Sequence, residues 1–223
     1  MIAENMRAII QIDDYVWGQY AFSRDPIRRK ISIDKKEELI KKAISCGHEE
    51  AMKIKKAYGK NAVSEYCKDA GIQIILKESE GSDGYIVFAQ YNSPNKVTLY
   101  QKNIERVNTW IKDNHLSSLL ERIDVKQLLI AHEIFHHLEY IHPDIITQTE
   151  KIELWRLGPF KNESKAIAVS EIAAMSFART LMDISYNPYV FDVVMLYPHN
   201  DEKVQTLIAD IMEINKEYKE KNG

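Results

Sequence analysis

Residues 124–143 read Asp-Val-Lys-Gln-Leu-Leu-Ile-Ala-His-Glu-Ile-Phe-His-His-Leu-Glu-Tyr-Ile-His-Pro. Asp124 is a residue suited to cap a helix N-terminus and Pro143 cannot continue one, so the stretch between them predicts a single helix. Leu128, Leu129, Ile130, Ile134 and Phe135 flank His132, Glu133 and His136. A buried helix does not ordinarily carry two imidazoles and a carboxylate together unless they are paired or hold a metal. Residues four apart on a helix are separated by roughly 40° around the axis and about 6 Å along it, so His132 and His136 can converge on one ion. Glu133 is turned about 100° from His132, beside an open coordination position rather than in line with the histidines.

These residue types fit metal-assisted hydrolysis. Neutral imidazoles bind zinc without neutralising it, and the ion lowers the pKa of water to about 7 in favourable sites. Glu133 is then the expected general base, taking a proton from water and passing it to a leaving amine. One Zn2+ ion is the expected cofactor. A catalytic zinc takes a third protein ligand and keeps its next position open. Glu171 is the choice for that ligand, because it stands among Ala166, Ala168, Ala173, Ala174 and Ala178, whose small side chains let a second helix approach closely. Glu163, Glu150, Glu153 and Asp183 are the other acidic candidates, at expected helix ends or in loops. His137 and His142 are expected off the ligand face, in solvent. Glu139-x-x-His142 repeats the spacing of Glu133-x-x-His136, but carboxylate-bridged di-iron bundles place such pairs on different helices.

On either side of this helix the chain reads as α+β. The first seventy residues are expected to be helical, with a start at Asp34 and Glu37, a stop at Gly47, and a second helix from Asn61 ending before Gly71. Ile72 to Lys77, Tyr85 to Tyr91 and Val97 to Tyr100 are rich in strand formers, and turn residues Gly81 to Gly84 and Asn92 to Asn95 separate them, which predicts a small antiparallel sheet or meander. A helix is expected over 103–114. After a break at Gly158-Pro159, a long helix is expected from about Glu163 to Ser185, a short one between Pro188 and Pro198, and a terminal one from Val204 to Lys219.

The 223 residues suit one domain, and 45% hydrophobic with 28% charged residues are ordinary values for a globular chain. A net charge of -3 provides no overall drive toward nucleic acid or an anionic membrane. The basic stretches Arg28 to Lys30, Lys35-Lys36, Lys41-Lys42 and Lys53 to Lys56 alternate with acidic residues, as on a solvated helix face. Cys46 and Cys67 form no C-x-x-C pair, and no leader or membrane span is evident, so a reducing, cytoplasmic compartment is expected.

His132-Glu133-Ile134-Phe135-His136, followed by Glu171-x-x-Ala174-x-x-Phe177-Ala178-x-x-Leu181, resembles the ImmA/IrrE family of small gluzincin-type metallopeptidases. The similarity spans about residues 60–185. It implies that His132, His136 and Glu171 are zinc ligands, that Glu133 is the catalytic glutamate, and that peptide bonds are the substrate class, with regulated cleavage of a repressor-like protein in some members. The sequence departs from the family at Phe135, a place where Gly is frequent, and it has no evident helix-turn-helix or sensor domain.

The resulting expectation is a zincin-like α+β domain with a small, mostly antiparallel sheet. Residues 1–60 would form a helical segment packed on the core, 61–185 the catalytic core, and 186–223 the C-terminal helices of the same domain. A peptide or protein substrate would lie extended along a sheet edge. Tyr186, Tyr197, His199 and Arg179 are in the part of the chain from which an oxyanion-stabilising side chain could come. The rival readings are a metal-binding regulatory protein without turnover, whose fourth coordination position would be closed by protein, and a toxin–antitoxin or phage-related partner protein binding another chain through its charged helices.

Overall fold

The computed structural model describes residues 2–78 and 86–222. Four N-terminal helices, α1 (Ile2–Ile10), α2 (Asp14–Ser23), α3 (Ile33–Tyr58) and α4 (Ala62–Asp69), lead into strands β1 (Gln73–Lys77), β2 (Ala89–Asn92) and β3 (Lys96–Tyr100). Helices α5 (Gln101–Asp113), α6 (Val125–Ile141) and the single turn α7 (Ile146–Thr149) follow, then a hairpin of β4 (Ile152–Leu157) and β5 (Phe160–Ser164). Helices α8 (Ile167–Leu181), α9 (Val190–Leu196) and α10 (Asp201–Asn222) complete an α+β chain. No helix among the described residues is long and apolar enough to cross a membrane.

Helix α6 is built as its sequence predicts. The Asp124 carboxylate accepts from the Gln127 N–H at 3.1 Å, satisfying a backbone donor at the helix start, and α6 ends before Pro143. Leu128, Ala131, Ile134, Phe135 and Leu138 are buried, so α6 is an interior helix. It packs against α8, which in turn lies along α3.

The α3–α8 contact explains why Gly47 is not a stop. Helix α3 runs straight through it, because α8 crosses at that point. A Cβ on Gly47 would overlap the Ala173 carbonyl oxygen and stand 2.8 Å from the Phe177 nitrogen. The glycine therefore permits close backbone approach, which outweighs its low helix propensity of about 1 kcal/mol. The start of α3 also differs from the Asp34 expectation. Ser32 is the cap, its hydroxyl accepting from the Lys35 N–H at 3.3 Å, and Asp34 sits in the first turn, where the helix dipole favours a negative charge. The actual stop is Gly59, with φ of 67°.

The sheet is mixed rather than a meander. Its order is β1-β3-β2, with β2 antiparallel to β3 and β1 parallel to it. The β2–β3 turn causes this arrangement by holding the entry to β1. The Gln73 N–H donates to the Asn95 carbonyl at 2.8 Å, and Asn95 Nδ2 donates to the Gly71 carbonyl at 2.8 Å. Val97, Thr98 and Leu99 are buried, as suits a central strand with partners on both sides. The second strand begins at Ala89, and the turn expected at Gly81 to Gly84 lies outside the described residues.

The expected long helix from Glu163 is shorter at both ends. Glu163 belongs to β5, and Gly158-Pro159 is the tip of a hairpin, with Gly158 at φ 57° as a tight connection between strands requires. The expected helix start at Glu163 gives way to β5 because its backbone pairs with Glu153 of β4. At the other end, Asp183 has φ of 55°, outside helical geometry, so α8 stops before Ser185.

Candidate metal centre

Two helices bring the expected ligands together. Helix α6 presents His132 and His136, and α8 presents Glu171 from a face kept thin by Ala174 and Ala178. Phe135 packs on Phe177 with ring centroids 5.7 Å apart, so the bulky residue at this position is a spacer between α6 and α8. His132 Nε2 lies 3.3 Å from Glu171 Oε2, His136 Nε2 lies 3.7 Å from Glu171 Oε1, and the two Nε2 atoms are 3.2 Å apart. Tetrahedral bonds of about 2.0–2.1 Å set neighbouring ligand atoms about 3.3 Å apart, so the three groups are spaced to hold one such ion. Among the described residues they form the one cluster of His, Cys, Asp or Glu close enough to do so.

The donor chemistry agrees with the spacing. Two imidazole lone pairs facing each other at 3.2 Å require a proton or a cation between them. Without a metal, the proton serves. Burial disfavours a charged His132, yet the hydrogen bond and charge of Glu171 outweigh it and hold the imidazole pKa at about 9. Burial likewise works against ionisation of Glu171, and His132 overcomes it, holding the carboxyl down to about 2. A metal-free triad is thus an ion pair across the same space that a cation would fill.

His136 is oriented from behind. Its Nδ1 donates to Glu139 Oε2 at 2.8 Å, which leaves the Nε2 lone pair facing the triad. The Ser170 hydroxyl donates to the same oxygen at 2.8 Å, tying α8 to α6 one residue before Glu171. Burial opposes ionisation of Glu139, but the His136 hydrogen bond keeps its carboxyl below the usual range. Sequence reasoning missed this function for Glu139, although its position three residues after His136 on the same helix face was a usable signal. Nothing local pointed to Ser170. Glu133 is 7% exposed, and its charge also acts on His132.

The other acidic candidates are held elsewhere. Glu150 pairs with Lys42 at 2.6 Å and Lys35 at 3.3 Å, Glu153 with Arg156, Glu163 with Lys161 and Asp183 with Lys55. His142 is exposed as expected. His137 is not. It is buried, its Nδ1 donates to the Pro94 carbonyl at 3.2 Å beside the Tyr91 hydroxyl, and the rings of Tyr66 and Tyr91 meet it edge-on. Burial pushes its pKa below the usual value. The turn of about 100° from His136 that removes it from the ligand face directs it to the sheet instead of to solvent.

The expected oxyanion candidates are also placed elsewhere. The Tyr186 hydroxyl donates to the Leu120 carbonyl, Arg179 binds Asp14 and the Ser185 carbonyl, and His199 lies against Arg106, while Tyr197 stacks on Trp110 with its hydroxyl buried and unpartnered, outside the lining of the Glu171 cleft. In their place, Glu171 opens into a cleft of about 380 Å3 lined by Arg24, Asp25, Met175, Tyr189 and Asp192. The Tyr189 hydroxyl is buried without a hydrogen-bond partner. Burial and the charges of Glu171 and Asp192 push its pKa well above the usual phenol value, so it remains a donor. Arg24 Nη1 donates to the Tyr20 hydroxyl at 2.5 Å and to Asp192 Oδ2 at 2.9 Å. Met175 shares α8 with Glu171, whereas Arg24 and Asp25 follow α2 and Tyr189 and Asp192 belong to the region of α9.

No family model matches the chain, and neither a curated protein nor a solved structure does.

Proposed function

We propose that the protein is a zinc-dependent peptidase of gluzincin type, with a zincin-like fold and with the ImmA/IrrE-like character that its two motifs suggest. The observation that carries this reading is the spacing of His132, His136 and Glu171 at 3.2, 3.3 and 3.7 Å around one point, with Glu133 buried on the same helix. Three donors from His and Glu, with no fourth His, Cys, Asp or Glu in the group among the described residues, suit a catalytic zinc site, which keeps one position for water. His132, His136 and Glu171 would hold a divalent ion, which would supply Lewis acidity toward water and a carbonyl oxygen. Glu133 accepts one proton of the attacking water and returns it to the leaving nitrogen as the water oxygen bonds to the carbonyl carbon and the C–N bond breaks. Tyr189 provides an uncommitted donor beside Glu171 for the oxygen on which charge accumulates. Glu139 holds His136 in the tautomer with a free Nε2.

Metal analysis of purified protein, together with digestion of a proteome-derived peptide pool, tests the proposal. About one zinc per chain is expected in the wild type and in Glu133→Gln, with cleavage only in the wild type. Equal cleavage by both proteins refutes the peptidase reading, and unchanged metal affinity in Glu171→Ala removes Glu171 from the ligand set.

A further inference from the structure

Arg24 and Asp192 line the Glu171 cleft, and they also line a second cleft of about 560 Å3. Its wall includes Ile86, Phe88, Met195 and Leu207, from the approach to β2 and from α9 and α10. The volume is of the size usual for ligand sites, about 300–1,000 Å3. Arg24 and Asp192 thus stand between the cleft that Glu171 lines and a second cleft walled in part by these apolar side chains. The partition is anchored on one side only. Arg24 uses Nη1 for both of its hydrogen bonds, and its side chain is 63% exposed, so Nε and Nη2 remain available to a ligand crossing between the clefts.

Charge selects the class of ligand. Arg24 and Lys203 on the wall are balanced by Asp192 and Asp210, so the second cleft has no net field to attract a phosphate, a nucleic acid or an anionic lipid. Its attraction is apolar contact. The two clefts share Arg24 and Asp192, and Glu171 lines the first, so an extended peptide, advancing about 3.3 Å per residue, can lie across both. We infer that this second cleft is a specificity subsite that receives a bulky apolar side chain of the substrate peptide. This rests on the peptidase reading above. Arg24 holds a backbone carbonyl of the same peptide at the partition.

The test compares cleavage sites in a proteome-derived peptide pool for the wild type, Glu133→Gln, Leu207→Arg and Met195→Ala. Leu207→Arg brings a cation into the apolar wall, whereas Met195→Ala enlarges it without adding charge and serves if the first variant fails to fold. Wild-type cuts are expected to share Leu, Ile, Met or Phe at one fixed position from the scissile bond. Leu207→Arg should move that preference at least tenfold toward Asp and Glu, and Met195→Ala should move it toward larger aromatic residues, at unchanged zinc content. Cleavage without a fixed apolar position, or with a preference that neither variant moves, overturns the subsite and leaves the peptidase reading standing. Cleavage no greater than that of Glu133→Gln overturns both.

Discussion

His136 and His137 are neighbours on α6, and they belong to two different regions of the molecule. His136 faces α8, where Glu139 and Ser170 fix it from behind and Glu171 stands 3.7 Å from its Nε2. His137 faces the sheet, where it clamps the Pro94 turn and packs between Tyr66 and Tyr91. One face of the helix assembles ionisable groups around a point, and the other uses the same side chain as a neutral core residue. The partner elements, rather than the imidazole, decide which chemistry results.

The sharpest way to break this contrast is to remove each histidine in turn. His136→Ala is expected to lower both zinc affinity and hydrolysis by at least 1,000-fold, roughly the loss of one metal ligand, while the metal-free fold survives. His137→Ala should do the reverse. Loss of the buried hydrogen bond to Pro94 is expected to cost about 1–3 kcal/mol in urea unfolding, with zinc affinity changed less than threefold. Equal effects of the two variants on metal content would dissolve the distinction between the faces. A smaller effect is expected for Glu139→Ala, which leaves the three ligands in place but frees the His136 ring, and about 10–100-fold weaker zinc binding by competition titration is the expected outcome.

The smallest effect is in pH dependence, and the two faces differ in sign. In the metal-free protein the His132 pKa is raised from 6.5 to about 9, so its stabilisation is complete below 6.5 and lost as pH rises through about 9. Glu171 is lowered from 4.5 to about 2, so its part is present above 4.5 and lost as pH falls through about 2. Their pairing therefore favours the metal-free fold most between pH 4.5 and 6.5. His137 is lowered from 6.5, so its contribution is present above that value and declines as acid drives protonation. Thermal melts of metal-free wild type should lose stability between pH 6.5 and 9, and Glu171→Gln should flatten that slope. Zinc affinity should rise over the same interval, because binding displaces the proton on His132.

Much of the α6–α8 face was legible in the residues alone. A spacing of four on one capped helix is a local property, and so is a single glutamate among alanines on another. The helix cap at Asp124 and the end before Pro143 are local as well, and they agree with the structure. Glu139 was visible in the sequence only as half of the Glu139-x-x-His142 pair, since its value lies in the tautomer it imposes on His136. The sheet face was less legible. Whether His137 meets water or Pro94 depends on where β2 lies, and the parallel pairing of β1 with β3 depends on Asn95 binding the backbone at Gly71 and Gln73. Gly47 shows the same limit, because a helix stop and a helix crossing need the same missing Cβ.

By itself the sequence determined the α+β class, the helix carrying His132, Glu133 and His136, and Glu171 as the acid suited to join them. Those features follow from periodicity and capping, which act over a few residues. Only the tertiary structure decided that the three groups meet within 3.7 Å, that Glu139 and Ser170 support them, and that Arg24, Tyr189 and Asp192 border the cleft. Contacts between residues as distant as 24 and 192 are set by how whole helices pack, and no local pattern encodes that sum of many weak contacts.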